Sequence, residues 1–126
     1  MQLAIRHGDK DLAWTLDELM VPIFGDQPIS ACITLALVSG ICEEAFFRGI
    51  LLPETGTFLS CLIFGAMHTG DRKLIKSAVW AGLAGWLFAF LYVKTGSLAL
   101  PMAAHAANNF TSFHIVKKYK KNKIRQ

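Results

Sequence analysis

Glu43 and Glu44 stand side by side in "SGICEEAFFRGILLP" (39–53), inside an apolar run from about Ile29 to Leu52. A carboxylate within a lipid-length helix is costly, so it is paired or put to use. Arg48 follows Glu44 at i,i+4 with the acid N-terminal, the favourable orientation for a helical ion pair. Glu43 points about 100° away around the helix and gains no such local partner. It is left as the candidate general base. His105 and Asn109 are also i,i+4 neighbours, so they share a face, and each can donate a hydrogen bond to a developing oxyanion. Asn108, at i+3 from His105, is not excluded by spacing. A lone intramembrane Glu–Arg pair is often only glue between helices, and a lone histidine is more often a satisfied polar residue than a catalyst. His7 and His114 take that bland reading.

Depth separates the remaining residues from chance. At about 1.5 Å per helical residue, Glu43 lies roughly 15 Å from the turn at Pro53, and His68 roughly 18 Å from the same turn. His105 lies roughly 13 Å beyond the "KTGS" turn. Three segments therefore deliver Glu43, His68 and His105 to one level near mid-membrane. Unrelated polar residues have no reason to share a depth.

The elements that must position them are membrane helices. The 126 residues are 53% hydrophobic and 17% charged, against about 25% charged in soluble domains. An amphipathic segment comes first, with Leu12, Leu16, Leu19 and Ile23 at helical spacing among Asp9, Asp11, Asp17 and Glu18. Pro22 and "GDQP" are expected to end it. Apolar helices are expected over about 29–52, 57–68, 74–93 and 98–116, the second too short to cross alone. "PETG" and "KTGS" read as turns. Small residues recur every four positions at Ser77, Ala81, Gly85 and Ala89, and at Ala99, Ala103 and Ala107, as expected of close helix packing. The expected fold is all-α: a multi-pass transmembrane bundle of about four membrane segments around an intramembrane polar site. Its parts are an amphipathic segment (1–28), a core (29–116) and a basic tail (117–126).

Six of the 13 basic residues lie in that tail, and Arg72, Lys73 and Lys76 follow the second apolar segment. The positive-inside rule puts both regions in the cytoplasm, so the chain reads as a multi-pass cell-membrane protein with both termini cytoplasmic. A basic tail after an apolar helix suits an anionic leaflet, so membrane lipid is the expected partner and nucleic acid is not. Cys32, Cys42 and Cys61 are odd in number, lack CxxC spacing and read as small buried hydrophobes. The charged N-terminus does not read as a signal peptide.

These residues resemble a known pattern. "EEAFFR" (43–48) is similar to the EExxxR motif of the CPBP family, the intramembrane proteases that include CAAX prenyl endopeptidases and bacteriocin-processing and immunity-associated enzymes of the Abi type. "FGAMH" (64–68) resembles its FxxxH motif and "HAANN" (105–109) its HxxxN motif, in family order, across roughly residues 29–116. The resemblance implies peptide-bond hydrolysis by a glutamate-activated water on a membrane-embedded or lipid-modified peptide. By position, Glu43 is the base and His68 positions or activates the water. His105 and Asn109 stabilise the oxyanion, Glu44 and Arg48 form the supporting pair, and Phe64 shapes the site. The family usually has further helices before its first motif, so the expectation is a compact core, a shortened product or a fragment needing partners. No cofactor is expected. Zinc held by Glu43, His68 and His105 is the lesser reading, because HExxH spacing is absent. The alternative function is a non-catalytic scaffold or bacteriocin-immunity protein of the same fold.

Overall fold

The computed structural model describes residues 5, 7–69 and 75–124. Among them, besides helical backbone at Ile5, His7 and Gly8, are one π-helical segment, no strand and these α-helices: α1 (Lys10–Phe24), α2 (Ile29–Glu44), the π segment (Ala45–Leu51), α3 (Leu52–Ala66), α4 (Ile75–Thr95) and α5 (Ala99–Ile124). Arg72 and Lys73, used above to orient the chain, lie outside the described residues.

Helix α2 is built inside out. Cys32, Ala36, Gly40 and Glu44 are buried at four-residue spacing, while Ile33, Leu37, Val38 and Ile41 are exposed. Water would drive the large apolar side chains inward. Lipid does not, and it leaves small and polar residues to make the helix contacts. The same inversion holds for α4, which buries Ser77, Ala81, Gly85 and Ala89 and exposes Val79, Leu83, Trp86 and Phe90. Ile29–Ala66 and Ile75–Thr95 are helical, long and apolar enough to cross a membrane.

The first of these stretches folds back on itself. Gly56, at φ 79°, occupies backbone space that a Cβ would disfavour, and the chain reverses there. Ser60 Oγ donates to the Phe47 carbonyl at 3.1 Å, a contact impossible along one continuous helix. The turn expected at "PETG" is thus a single-residue reversal with helix on both sides. A second reversal follows α4, where Gly96 at φ 63° caps the helix through its N–H to Tyr92 O. Helix α2 packs chiefly on α5, and α3 chiefly on α4.

Several expectations need correction. Helix α1 starts at an Asp9 cap, whose side chain accepts from Leu12 N–H at 3.0 Å, and it runs through Pro22 to Phe24. Leu19 and Ile23 are exposed, whereas Asp17 is buried, because α1 turns this side toward α5. Ala99, Ala103 and Ala107 lie on the exposed side of α5. The buried side carries Pro101, His105, Ala106, Ser112, Phe113 and Val116, where Ala106 packs closely against Gly40 of α2 and His105 meets Glu44. Helix α5 also continues through the basic tail to Ile124, and Cys42 is exposed.

Candidate active site

The π segment begins one residue after Glu44, so Glu44 ends the α-helical geometry and Arg48 sits in the wider coil. Such π turns concentrate at functional sites. From there Arg48 reaches two elements at once. Its Nη1 donates to Glu44 Oε1 at 2.9 Å, and its Nη2 donates to the Gly85 carbonyl of α4 at 2.7 Å. The guanidinium lies 4.8 Å from the Phe64 ring centre, with Phe47 and Phe88 slightly farther away. Cation–π contact and two charge-assisted hydrogen bonds offset its removal from water. A side chain at Gly85 would crowd this contact, because a Cβ would sit 3.1 Å from Phe64 and 3.2 Å from Arg48 Nη2.

Glu44 is fully buried, and its Oε1 also lies 2.7 Å from His105 Nδ1. A carboxylate accepts, so Nδ1 carries the hydrogen and the ring orientation is set from α2. Phe88 stacks on the same imidazole, 4.8 Å between ring centres at 15°. His105 Nε2 is thereby turned toward Glu43, whose Oε2 lies 3.8 Å away. That is beyond hydrogen-bonding distance, and Glu43 is one-third exposed while Glu44 is not exposed at all. The two adjacent glutamates therefore occupy different environments. The Glu44 Oε2 atom has no hydrogen-bond partner among the described residues.

A small cavity adjoins the imidazole. It is lined by Phe64, His68, Phe88, His105, Asn108 and Asn109, with Ala81 and Ala84. Its volume of about 20 Å³ accommodates about one water molecule. His68 Nδ1 lies 2.7 Å from the Phe64 carbonyl, which can only accept, so Nδ1–H donates and the neutral ring keeps its lone pair on Nε2. Asn109 Nδ2 donates to Ser39 Oγ at 2.6 Å, leaving its second amide hydrogen for another acceptor.

Of the residues singled out in the sequence, Phe64, His68, His105 and Asn109 share one cavity wall, and Glu43 approaches through His105. Glu44 and Arg48 form the buried support. Glu43, His68 and His105 do not converge as metal ligands: no group of three or more His, Cys, Asp or Glu residues able to hold a metal ion occurs among the described residues. Ser39 and Phe88 did not stand out in the sequence, and Gly85 did so only as part of a packing stripe. Ser39 lies four residues before Glu43, close to the face carrying the glutamates, and that spacing was the available signal. His7 and His114 are exposed, and neither lines this cavity.

A family model described as "Type II CAAX prenyl endopeptidase Rce1-like" matches residues 25–111, a span that contains all three motifs. The chain belongs to the Rce1-like family. Three Bacillus subtilis (strain 168) proteins are similar to it. "Uncharacterized protein YyaK" is 35% identical over 94 residues, covering 64% of this chain and 31% of the relative. "Uncharacterized protein YpbD" is 32% identical over 83 residues, covering 66% and 44%. The protein named "Putative membrane peptidase YdiL" is 33% identical over 85 residues, covering 61% and 33%. The chain thus spans 31–44% of the length of these relatives. No solved structure matches it. Rce1-like membership and two helices suited to crossing a bilayer identify a membrane protein of a peptidase family.

Proposed function

We propose that this chain carries the catalytic core of an intramembrane endopeptidase that cleaves a membrane-embedded or lipid-modified peptide. The observation that carries the reading is His105, held at Nδ1 by Glu44 and facing Glu43 with Nε2 beside a water-sized cavity. The imidazolium form of His105 carries a hydrogen on each ring nitrogen, one donated to Glu44 and one facing Glu43.

In this mechanism a water in the cavity is positioned by His68 and loses a proton to Glu43 as it attacks the scissile carbonyl. The carbonyl oxygen becomes an oxyanion, which accepts from His105 Nε2–H and from the second amide hydrogen of Asn109. Collapse of this intermediate breaks the C–N bond, and Glu43 returns its proton to the leaving amine. Arg48, Glu44 and Ser39 take no part in bond making. They fix the imidazole and the amide, which is worth much in a site where small misplacements cost rate. Four crossings with both termini in the cytoplasm, one basic end at the inner surface, complete the reading.

The test is cleavage, by the purified protein in lipid, of a prenylated C-terminal peptide and of an unmodified transmembrane peptide. Cleavage of either that is abolished by Glu43→Gln supports the reading. Cleavage that survives Glu43→Gln and His105→Ala refutes the assignment. Binding of a peptide without any cleavage by the folded wild-type chain would establish the scaffold reading instead.

A further inference from the structure

Helix α5 is 26 residues long, about 39 Å at the helical rise, which exceeds the roughly 30 Å hydrocarbon core. Counted from Ala99, Lys117 lies about 27 Å along it. Its last turns therefore stand among headgroups if the helix crosses. There α5 meets the α1–α2 loop and the start of α2 across a groove of about 600 Å³. Lys117, Lys118, Lys120 and Lys121 line it, with a single carboxylate, Asp26.

The four lysines are not equivalent. Lys120 pairs with Asp26, and Lys117 donates to the Gln27 carbonyl, so these two tie the loop to the helix. Lys118 and Lys121 are exposed and make no ion pair or hydrogen bond among the described residues. The groove also receives the N-terminal end of α2, whose cap residue, Pro28, has no side-chain acceptor to offer its N–H groups. Helix N-termini carry partial positive charge. The rim is apolar: Ile29 and Ile124 both line the groove and are largely exposed. Unpaired cations, a helix N-terminus and an apolar rim at headgroup depth suit a ligand with a phosphate joined to a hydrocarbon chain.

We propose that this groove is a binding site for an anionic phospholipid, with its phosphate held by Lys118 and Lys121 and an acyl chain leaving past Ile29. The site rests on the membrane reading of α5 and is independent of peptidase activity. It would fix the inner end of α5, the helix that carries His105, in depth and rotation.

The full chain in phosphatidylcholine nanodiscs is titrated with phosphatidylglycerol, and lipid retention is read by native mass spectrometry alongside thermal unfolding. Phosphatidylglycerol should be retained and should raise the unfolding temperature. Lys118→Gln/Lys121→Gln should weaken retention about thirtyfold, the loss expected of two lysines at a lipid surface. Lys118→Arg/Lys121→Arg should restore it, and Lys94→Gln, at the other end of α4, should leave it unchanged. Equal retention by the Gln pair, or by phosphatidylcholine alone, overturns the site. Inorganic phosphate that stabilises the protein as much as the lipid, unaffected by Ile29→Asn, overturns the lipid as its ligand.

Discussion

Adjacent glutamates that a helix turns apart should respond differently to the same chemical change, loss of one carboxylate charge. Glu44 is fully buried, and its Oε1 accepts from both Arg48 and His105. In Glu44→Gln the amide oxygen keeps both acceptor contacts, but each becomes a bond to a neutral group, a loss of about 1 kcal/mol apiece. The new amide NH2 falls where Oε2 already lacks a partner, adding roughly 1–3 kcal/mol for a buried unsatisfied donor. Arg48 is left without its counter-charge, so the total approaches the ~3–5 kcal/mol of a broken buried pair. Glu43 is one-third exposed and makes no hydrogen bond within reach of His105, so Glu43→Gln should cost about 0–1 kcal/mol. The difference of about 3 kcal/mol is more than a hundredfold in the folded-to-unfolded ratio. Denaturant titration of both variants in mixed micelles measures it, with peptide cleavage assayed on the folded fraction. Glu43→Gln should fold and not cut, and Glu44→Gln should unfold early and retain part of the activity. Glu44→Gln/Arg48→Met should recover stability relative to Glu44→Gln alone, because neither charge is then stranded. Equal destabilisation by the two single variants would refute the division of labour.

Gly85→Ala should cost ~1–3 kcal/mol in thermal unfolding, since its Cβ crowds both the Phe64 ring and the Arg48 guanidinium that bonds to the Gly85 carbonyl. Acid should loosen α1 and its loop. Lys123 holds Glu18 below the usual carboxylate range by a side-chain hydrogen bond, and Lys120 does the same for Asp26. Stabilisation by such depressed carboxyls is present above their unfolded values and is lost as pH falls through the folded ones, so the hydrogen-exchange protection factors of α1 amides should fall below about pH 4. High salt at neutral pH should reproduce part of that change. Cleavage should survive strong chelators, and activity lost to a chelator and restored by zinc would recast Glu43, His68 and His105 as ligands. Cysteine placed at Lys121, in a cysteine-free background, should label only from the cytoplasmic side, and cysteine at Thr55 only from outside.

The candidate site residues were legible without coordinates because membrane helices make polar residues rare. Glu43, Glu44, Arg48, His68, His105 and Asn109 stand out against apolar runs, and helical spacing alone pairs Glu44 with Arg48. The Ser77–Ala89 stripe was legible for the same periodic reason, and the equivalent stripe from Cys32 to Glu44 could have been read by the same rule. Tertiary structure decided what spacing cannot. His105 takes Glu44 at one nitrogen and faces Glu43 with the other, 61 residues distant in sequence from the first of these. Asn109 is held by Ser39, and Arg48 spans to Gly85, each across a helix interface. A π turn interrupts what read as one regular helix, and the inner face of α5 is the one that brings Ala106 against Gly40 and His105 against Glu44. The physical reason is common to all of these. Periodicity reports which residues share a face of one helix, but in lipid the apolar pattern no longer says which face turns inward. That choice is made by close packing of small residues and by hydrogen bonds between helices, and both exist only once the helices have met.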